Sequence, residues 1–335
     1  MTSPNDDVAA ALAAMGLAAP VALHPMAGGV SCDVWRVDLP DGPICVKRAL
    51  PKLRVTADWR APPERSEVEV AWLRLAAEID PALVPKVLGE DRARHIFAMQ
   101  FLPPDRYPLW KAQLAAGVVD VEFAAQVGAA LARIHAATAR RADIAAQFDN
   151  GAQFRALRLD PYLLYTASKH PDLTAKIVAI ADGVANARIA LMQGDISPKN
   201  ILCSPHGPVF LDAETACYGD PAFDLAFCLN HLLLKCVWRP QHRNVYCDSF
   251  TRLKDAYLKN VDWEPSADIE RRTLELLPAL LLARIDGKSP VEYITDEHDK
   301  TTVRHFAREH LIMRKETLQH LADDWRFYLV GANSR

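Results

Sequence analysis

The spacing of apolar residues divides the chain into two regions. Before residue 103, short apolar runs alternate with turns rich in glycine, proline or aspartate, a pattern typical of β-strands. The runs predict strands at 21–26, 32–39, 44–49, 86–89 and 95–101, with helices at 6–15 and 63–77. The first region is therefore expected to be a five-stranded, mainly antiparallel sheet accompanied by two helices.

After residue 120 the chain is predicted to be mostly helical. Apolar residues recur every three or four positions, which is the spacing of one buried helix face. The predicted helices lie at 121–138, 154–165, 174–188, 225–237, 245–260, 267–286 and 302–325. In the second of them, Asp160 and Pro161 are typical of an N-cap followed by proline at the first helical position. The fold class is therefore α+β, with predicted domains at 1–102 and 103–335.

A polar stretch at 191–224 interrupts the helical pattern. In order, it contains Gly194, Asp195, Asn200, an apolar run at 201–203, a turn at His206-Gly207, a second apolar run at 208–211, Asp212 and Glu214. An acid on a tight loop, an amide soon after it and an acid at the end of a hairpin are the groups that hold Mg²⁺ against a nucleoside triphosphate. The alternative interpretation is a β-hairpin with ordinary polar turns.

Composition narrows the classes of function. Half of the 335 residues are hydrophobic and 24% are charged, which is ordinary for a globular protein, and a net charge of -3 argues against a nucleic-acid partner. No apolar run reaches the ~18 residues that a membrane span needs, and the acidic N-terminus does not resemble a secretory signal. Seven cysteines without a CxxC pair argue against a zinc site or a disulfide framework, so we expect a cytoplasmic protein without membrane contact.

Lys47 is the one charged residue whose position calls for a partner early in the chain. It lies inside the apolar strand predicted at 44–49, and burying an unpaired ammonium costs several kcal/mol. A glutamate of the helix at 63–77 is the expected partner, and Glu67 and Glu69 both lie on that helix. The alternatives are an edge-strand lysine that points to solvent and a solvated glutamate.

The string QGDISPKNIL…VFLDAE…YGDPAFDLA resembles the aminoglycoside phosphotransferase family, a small-molecule branch of the kinase-like fold that choline kinases and methylthioribose kinases share. The resemblance implies a two-lobed fold and ATP and Mg²⁺ as cofactors. It implies Asp195 as the catalytic residue, Asn200, Asp212 and Glu214 as metal ligands, and Gln193 and Asp224 as structural braces of the catalytic loop. Gln193 departs from the family, which usually has histidine there, and this puts the bracing in doubt more than the chemistry.

The resemblance also implies a nucleotide site in the first domain. Lys47 and Glu69 would hold the α- and β-phosphates, and Glu69 fits the family spacing better than Glu67. The implied contacts to the rest of the nucleotide come from Gly28, Gly29 and Ser31 at the phosphates and from the backbone of Gln100 and Leu102 at the adenine. The glycine pair has a plain alternative, a hairpin turn.

The sequence gives fewer signals for the residues that bind the molecule accepting the phosphate. The resemblance suggests Arg158, Tyr162 and Arg284, although Arg284 could equally be a surface arginine at a helix C-terminus. The segment 50–62 is either a flap over the site or a solvated connection, and it resembles an insertion of methylthioribose-kinase-like members. The acceptor itself could be a sugar, an amino alcohol, an aromatic alcohol or an aminoglycoside-like molecule.

The predicted function is transfer of the γ-phosphate of ATP to a hydroxyl of a small molecule, by a monomer or homodimer. A protein kinase is disfavoured, because Asp224 follows Asp212 by only twelve positions and leaves no room for an activation loop. The remaining alternative is a non-catalytic nucleotide- or ligand-binding protein on the same scaffold.

Overall fold

The structure is a computed structural model that describes residues 4–26, 31–54, 60–313 and 316–332. Its first part is a five-stranded antiparallel sheet in the order β1-β2-β3-β5-β4, flanked by two helices. The elements are α1 (Pro4–Ala14), β1 (Ala22–Pro25), β2 (Cys32–Leu39), β3 (Gly42–Ala49), α2 (Arg65–Ile79), β4 (Val87–Asp91) and β5 (Ile96–Gln100). The predicted five-stranded sheet is confirmed.

Along each strand, successive side chains point to opposite faces of the sheet. One helix packs against each face. Val46 and Ala98 point to one face and pack with Val8 and Leu12 of α1. Cys45, Phe97 and Met99 belong to the opposite face, which joins Val70, Trp72 and Leu73 of α2 in the main core. Lys47, two residues after Cys45, shares that second face, so its side chain points towards α2. Because β3 is the central strand, the edge-strand alternative for Lys47 is wrong.

The remainder is mostly helical, as predicted. Its helices are α3 (Trp110–Ala115), α4 (Val121–Thr138), α5 (Ala142–Gln147), α6 (Gly151–Phe154), a π-helix (Arg155–Leu164), α7 (Tyr165–Lys169), α8 (Thr174–Asn186), α9 (Ala222–Trp238), α10 (Arg243–Lys259), α11 (Ser266–Asp286), α12 (Glu297–Ile312) and α13 (Leu318–Ala332). Helix α9 is buried along almost its whole length, and α10 and α11 pack against it. The domain boundary at 102/103 falls just after β5 and stays a prediction.

The polar stretch between α8 and α9 contains two short two-stranded antiparallel sheets. Strand β6 (Ala190–Met192) pairs with β9 (Cys217–Gly219), and β7 (Ile201–Ser204) pairs with β8 (Gly207–Phe210). The β7–β8 hairpin matches the predicted runs, with its turn at residues 205 and 206. The β6–β9 pair was not predicted, and it is what brings the two ends of the stretch together.

The N-cap predicted at Asp160-Pro161 is wrong. Pro161 lies inside the π-helix, and α6, the π-helix and α7 follow one another without a break. In a π-helix each N–H donates to the carbonyl five residues back, as Tyr165 does to Asp160. A proline inside a helix removes one donor and crowds the preceding turn, and the wider π turn accommodates it.

The single helix predicted at 302–325 is also wrong, because the structure has two helices there. Helix α12 begins earlier, where the Asp296 side chain accepts hydrogen bonds from the N–H groups of His298 and Asp299. Helix α13 follows Thr317, whose hydroxyl accepts from the N–H of His320 at 3.1 Å. Thr317 is a capping residue in the sequence, and the apolar spacing on both sides concealed the break.

Candidate active site

Asp195 lies on a buried loop between β6 and β7. Its carboxylate is 1% exposed, and one oxygen, Oδ2, receives three hydrogen bonds or ion pairs: from Arg158 Nη2 at 3.0 Å, Lys199 Nζ at 3.0 Å and Asn200 Nδ2 at 2.9 Å. The other oxygen, Oδ1, is buried without a hydrogen-bond partner among the described residues. Because buried polar atoms are nearly always bonded, Oδ1 is the atom that a ligand hydroxyl would contact.

Gly194 is required for this loop. Its φ is +82°, and a Cβ there would lie 2.8 Å from the Thr215 carbonyl oxygen. The Gly194 carbonyl accepts from Arg158 Nε at 2.7 Å, so the guanidinium of Arg158 contacts both the loop backbone and Asp195. The carboxylate is therefore held from two directions.

Gln193 and Asp224 make the contacts expected of braces. Gln193 Oε1 accepts from the Asp195 N–H at 2.6 Å, and Gln193 Nε2 donates to the carbonyls of Leu211 and Asp212 at 2.7 and 3.0 Å. Asp224, in the first turn of α9, accepts from the N–H groups of Gln193 and Gly194 at 2.7 and 2.8 Å. The amide of Gln193 thus connects the Asp195 loop to the Asp212 loop. A histidine at this position could also connect the two loops, but with fewer hydrogen bonds.

Asp212 and Asn200 lie side by side at the open end of the β7–β8 hairpin. The Leu211 N–H donates to the Asn200 carbonyl at 2.9 Å, and Asp212 follows with a φ of +66°, a conformation that few non-glycine residues adopt outside functional sites. Asn200 uses its Nδ2 to bind Asp195, which leaves its Oδ1 as a possible metal ligand. A carboxylate and an amide oxygen are a donor set that fits Mg²⁺.

Glu214 pairs with Arg65. Its Oε2 accepts from Arg65 Nε at 2.9 Å and from the Cys32 thiol at 3.5 Å. Within the described part of the chain, no group of three or more His, Cys, Asp or Glu side chains is placed to hold a metal ion. The role of Glu214 as an additional metal ligand stays a prediction, and its ion-pair partner in the structure is Arg65.

Lys47 joins the sheet to this loop. It is 6% exposed, and its ammonium contacts Glu69 Oε1 and Oε2 at 2.9 and 2.7 Å and also pairs with the Asp212 carboxylate. Glu69 is buried as well, so the solvated alternatives for both residues are wrong. The expected lysine–glutamate pair is present, and Lys47 links it to Asp212.

Burial and charge act on this triad in opposite directions. Burial raises the pKa of the Glu69 carboxyl to about 7, although Lys47 opposes the shift. For Asp212 burial would also raise the pKa, but the charges of Lys47 and Lys199 outweigh it and lower the pKa to about 2. The pKa of Lys47 is raised well above its usual value, because the attraction of Asp212 and its other anionic neighbours exceeds the effect of burial. Asp212 is therefore ionised, as a metal ligand must be.

Not all of the other residues predicted to bind the nucleotide lie within the described part of the chain. Gly28 and Gly29 lie outside the described residues. Ser31 is buried, and its carbonyl accepts from Arg65 Nη2 at 2.6 Å. The N–H of Gln100, the last residue of β5, donates to the Lys86 carbonyl at 2.8 Å, so an adenine contact from Gln100 would use its carbonyl. Leu102 follows two residues later.

The three predicted acceptor residues lie together beside Asp195. Arg158 pairs with Asp195, and the Tyr162 hydroxyl accepts from Arg284 Nη1 at 3.2 Å. Arg284 is 8% exposed, which excludes the surface alternative, and its Nη1 also donates to the Ser289 carbonyl. These side chains extend from the Asp195 carboxylate towards the last turn of α11.

The profile of the phosphotransferase enzyme family matches residues 22–258, which is most of the chain. The chain belongs to this family. Methylthioribose kinase 1 of Oryza sativa subsp. japonica is 26% identical in an alignment of 221 residues that covers 58% of this phosphotransferase and about half, 51%, of the rice protein. Methylthioribose kinase of Bacillus cereus (strain 03BB102) is 21% identical over 343 residues, covering 90% of this chain and 87% of that protein. Family and relatives identify a small-molecule kinase.

The solved structures agree on the fold. An amicoumacin kinase in complex with AMP-PNP and Ca²⁺ matches this phosphotransferase with a TM-score of 0.56 at 12% identity, over 90% of this chain and 91% of that chain. This likeness shows the kinase-like fold that the sequence predicted. Among the residues described, no helix of the phosphotransferase combines the length and apolar character that crossing a bilayer requires.

Two residues of the phosphotransferase's site were missed in the sequence. Lys199 contacts Asp195 from four positions later, within the same motif, so its spacing was a usable signal. Arg65 is fully buried at the start of α2 and donates to the carbonyls of Ser31, Leu50, Ala61 and Pro62 as well as to Glu214. No local pattern marks Arg65, because Glu214 is 149 positions away.

Proposed function

We propose that this small-molecule kinase transfers the γ-phosphate of ATP to an acceptor hydroxyl, with Asp195 as the residue that receives the hydroxyl proton. One observation carries the proposal: an unbroken set of contacts runs from Glu69 through Lys47 and Asp212 to Gln193 and Asp195. These groups come from β3, from α2 and from two loops of the helical part, and each contacts the next.

The nucleotide end of the site is supported by Lys47. Its ammonium, held by Glu69, is the charge that would bind the phosphates. The same ammonium pairs with Asp212, so phosphate oxygens would compete with that carboxylate for it. The amicoumacin kinase of similar fold was solved with AMP-PNP, an ATP analogue, and this supports ATP as the donor.

Asp212 and Asn200 would hold Mg²⁺ through a carboxylate oxygen and an amide oxygen. When bound, the ion supplies positive charge that neutralises the phosphates. The chain's own part is to keep both oxygens in place: Gln193 fixes the Asp212 carbonyl, and Asn200 is fixed by its donation to Asp195. Glu214, bound to Arg65, supports the loop that follows Asp212.

Asp195 is arranged to act on the acceptor. Its Oδ2 is fixed by Arg158, Lys199 and Asn200, so the carboxylate cannot turn away, and its free Oδ1 would receive the proton of the attacking hydroxyl. Positioning of this kind supplies much of the rate of phosphoryl transfer. The monomeric or homodimeric state and the cytoplasmic location remain predictions from the sequence.

The test is release of ADP by purified protein with Mg-ATP and a panel of methylthioribose, sugars, amino alcohols and phenols. We expect turnover of at least one acceptor, and a loss of about 10²- to 10⁴-fold in Asp195→Ala, the usual contribution of a general base. Calorimetry should show unchanged Mg-ATP affinity in that variant. Asp105→Ala, which alters an exposed carboxylate, is the matched control.

Two results would count against the proposal. If the wild-type protein binds Mg-ATP tightly and turns over no acceptor, the non-catalytic nucleotide-binding alternative is correct. If Asp195→Ala retains full turnover on an acceptor, another residue must receive the proton.

A further inference from the structure

A cleft next to Asp195 is lined mainly by cations. Four of its lining side chains are positively charged and one is negative: Lys111, Lys199, Lys235 and Arg284 against Glu292. Lys111 pairs with Glu292, and Lys199 pairs with Asp195, so these two charges are compensated. Lys235 and Arg284 have no carboxylate partner among the described residues.

Both of these cations are buried, and Glu292 attracts them without forming an ion pair with either. Lys235 lies in the last turn of α9 and is 1% exposed, and Arg284 lies in the last turn of α11 and is 8% exposed. Burying a charge without an opposite charge is costly, and proteins rarely retain such a group without a use for it. Burial and the charge of Lys111 lower the pKa of Lys235 to about 7, so its ammonium is only partly populated at neutral pH.

The same cleft contains polar atoms without partners. Arg284 Nε, His231 Nε2 and the Tyr293 hydroxyl are all buried and form no hydrogen bond among the described residues. All three residues line the cleft. Because buried polar groups are nearly always satisfied, three such atoms around one cleft are groups that a bound molecule with oxygen atoms would satisfy.

Contacts within the protein explain only part of the positions of Lys235 and Arg284. The Lys235 ammonium lies over the rings of Tyr293 and Trp238, at 4.0 and 4.5 Å from the centroids, and Arg284 Nη1 binds Ser289. The Lys235 ammonium has no hydrogen-bond acceptor among the described residues, and Arg284 Nε is buried and unbound among them.

We propose that this cleft binds an anionic group of the acceptor, a carboxylate or a phosphate, and that the kinase therefore acts on hydroxy acids or phosphorylated alcohols. The inference rests on the proposed function. Lys199 connects the two sites, because it lines the cleft and also contacts Asp195 at 3.0 Å. An acceptor anchored on Lys235 and Arg284 would place its hydroxyl at the catalytic carboxylate.

The first experiment compares acceptors that differ only in charge. Glycerate is paired with glycerol, gluconate with glucitol, and glycerol 3-phosphate is added to distinguish phosphate from carboxylate; methylthioribose serves as a neutral acceptor. We expect kcat/KM to be about 10- to 100-fold higher for the anionic member of a pair, the effect of one or two charge-assisted hydrogen bonds. In Lys235→Met this advantage should disappear because KM for the anionic acceptor rises, while KM for ATP should stay unchanged.

Lys254→Met is the matched control, because Lys254 is a buried lysine of α10 that pairs with Asp255 outside the cleft. It should keep the preference for anionic acceptors. Loss of the preference in Lys235→Met but not in Lys254→Met supports the proposal. Equal kcat/KM for both members of every pair, or a preference for methylthioribose over every acid, overturns it.

The second experiment does not depend on turnover. The pKa of Lys235 is followed by NMR on protein labelled at lysine Cε, with the signal assigned by its absence in Lys235→Met. Inorganic phosphate and glycerate should raise that pKa in a saturable way, since an anion stabilises the ammonium. A pKa that does not respond to either anion overturns the proposal. If anions bind and no acceptor is phosphorylated, the cleft assignment stands and the proposed function fails.

Discussion

On the proposed nucleotide side of Asp195 the buried cations Lys47 and Arg65 contact carboxylates, whereas two cations on the proposed acceptor side contact none in the described part of the chain. Lys47 lies between Glu69 and Asp212, and Arg65 binds Glu214. Lys235 and Arg284, by contrast, have only aromatic, hydroxyl and carbonyl contacts among the described residues. In the proposed nucleotide site the protein's own carboxylates therefore balance the cations, while in the proposed acceptor cleft positive charge remains for a ligand to balance. Removing a lysine should therefore have opposite effects on stability on the two sides.

The largest effect is expected for Lys47→Met. This change leaves the buried Glu69 and the half-buried Asp212 without their cation, so the free energy of unfolding should fall by about 3 kcal/mol. Loss of a phosphate-binding charge should lower kcat/KM for ATP by about 10²-fold or more. Denaturant titration and steady-state kinetics measure the two effects. Lys47→Met/Glu69→Gln should recover part of the stability and none of the activity; a single variant as stable as wild type would show that the triad is not coupled.

A smaller effect of the opposite sign is expected for Lys235→Met. The folded-state pKa of Lys235 is lowered to about 7 from 10.5, by burial first and then by Lys111 and Arg239, with Glu292 opposing. The unfolded chain therefore binds more protons between these two pH values, and wild-type stability rises with pH across that window. Removing the lysine should raise the free energy of unfolding by an amount on the order of 1–3 kcal/mol at pH 7.

The pH dependence separates this effect from simple repacking. The gain in Lys235→Met should be greatest near and below pH 7 and should shrink as the pH approaches 10, where the wild-type lysine is neutral in the folded state. Urea unfolding at two pH values on either side of this range, with Lys254→Met as the reference, measures it. A variant that is less stable than wild type at pH 7 would mean that the ring contacts of Lys235 outweigh its desolvation.

The smallest effect is expected for Gln193→His, which introduces the residue that is usual in the family. Gln193 accepts from the Asp195 N–H and donates to two carbonyls. A neutral imidazole keeps one acceptor and one donor, so one hydrogen bond of about 1 kcal/mol is lost. Turnover should fall by a few-fold at most. A loss as large as that of Asp195→Ala would show that the glutamine holds the loop in a way that histidine cannot reproduce.

The parts of the fold and site that were predicted depend on local signals. The sheet, the β7–β8 hairpin and the residues 195, 200 and 212 follow from runs, turns and spacings within a few positions. The lysine–glutamate pair depended on the resemblance as well as on the apolar setting of Lys47. The π-helix was missed because Asp160-Pro161 is also a good helix start, and local sequence does not distinguish the two.

Contacts between distant parts of the chain were the ones that could not be predicted. Strands β6 and β9 are three residues each and exist because they pair with one another. Arg65 meets Glu214 only after folding. Lys235 is different: it is a lysine within an apolar helix, and the argument that singled out Lys47 applied to it equally, so this signal was present in the sequence.

The guanidinium of Arg65 has a consequence for how this family can change. It binds the carbonyl of Leu50 on one side of the 50–62 segment and those of Ala61 and Pro62 on the other, while Ala61 also donates to Pro51. Both ends of the segment are thus fastened at one point before the chain leaves the sheet. We therefore expect changes in the length of the segment between these ends to leave Lys47 in place, with closure of the longer or shorter loop as part of their cost.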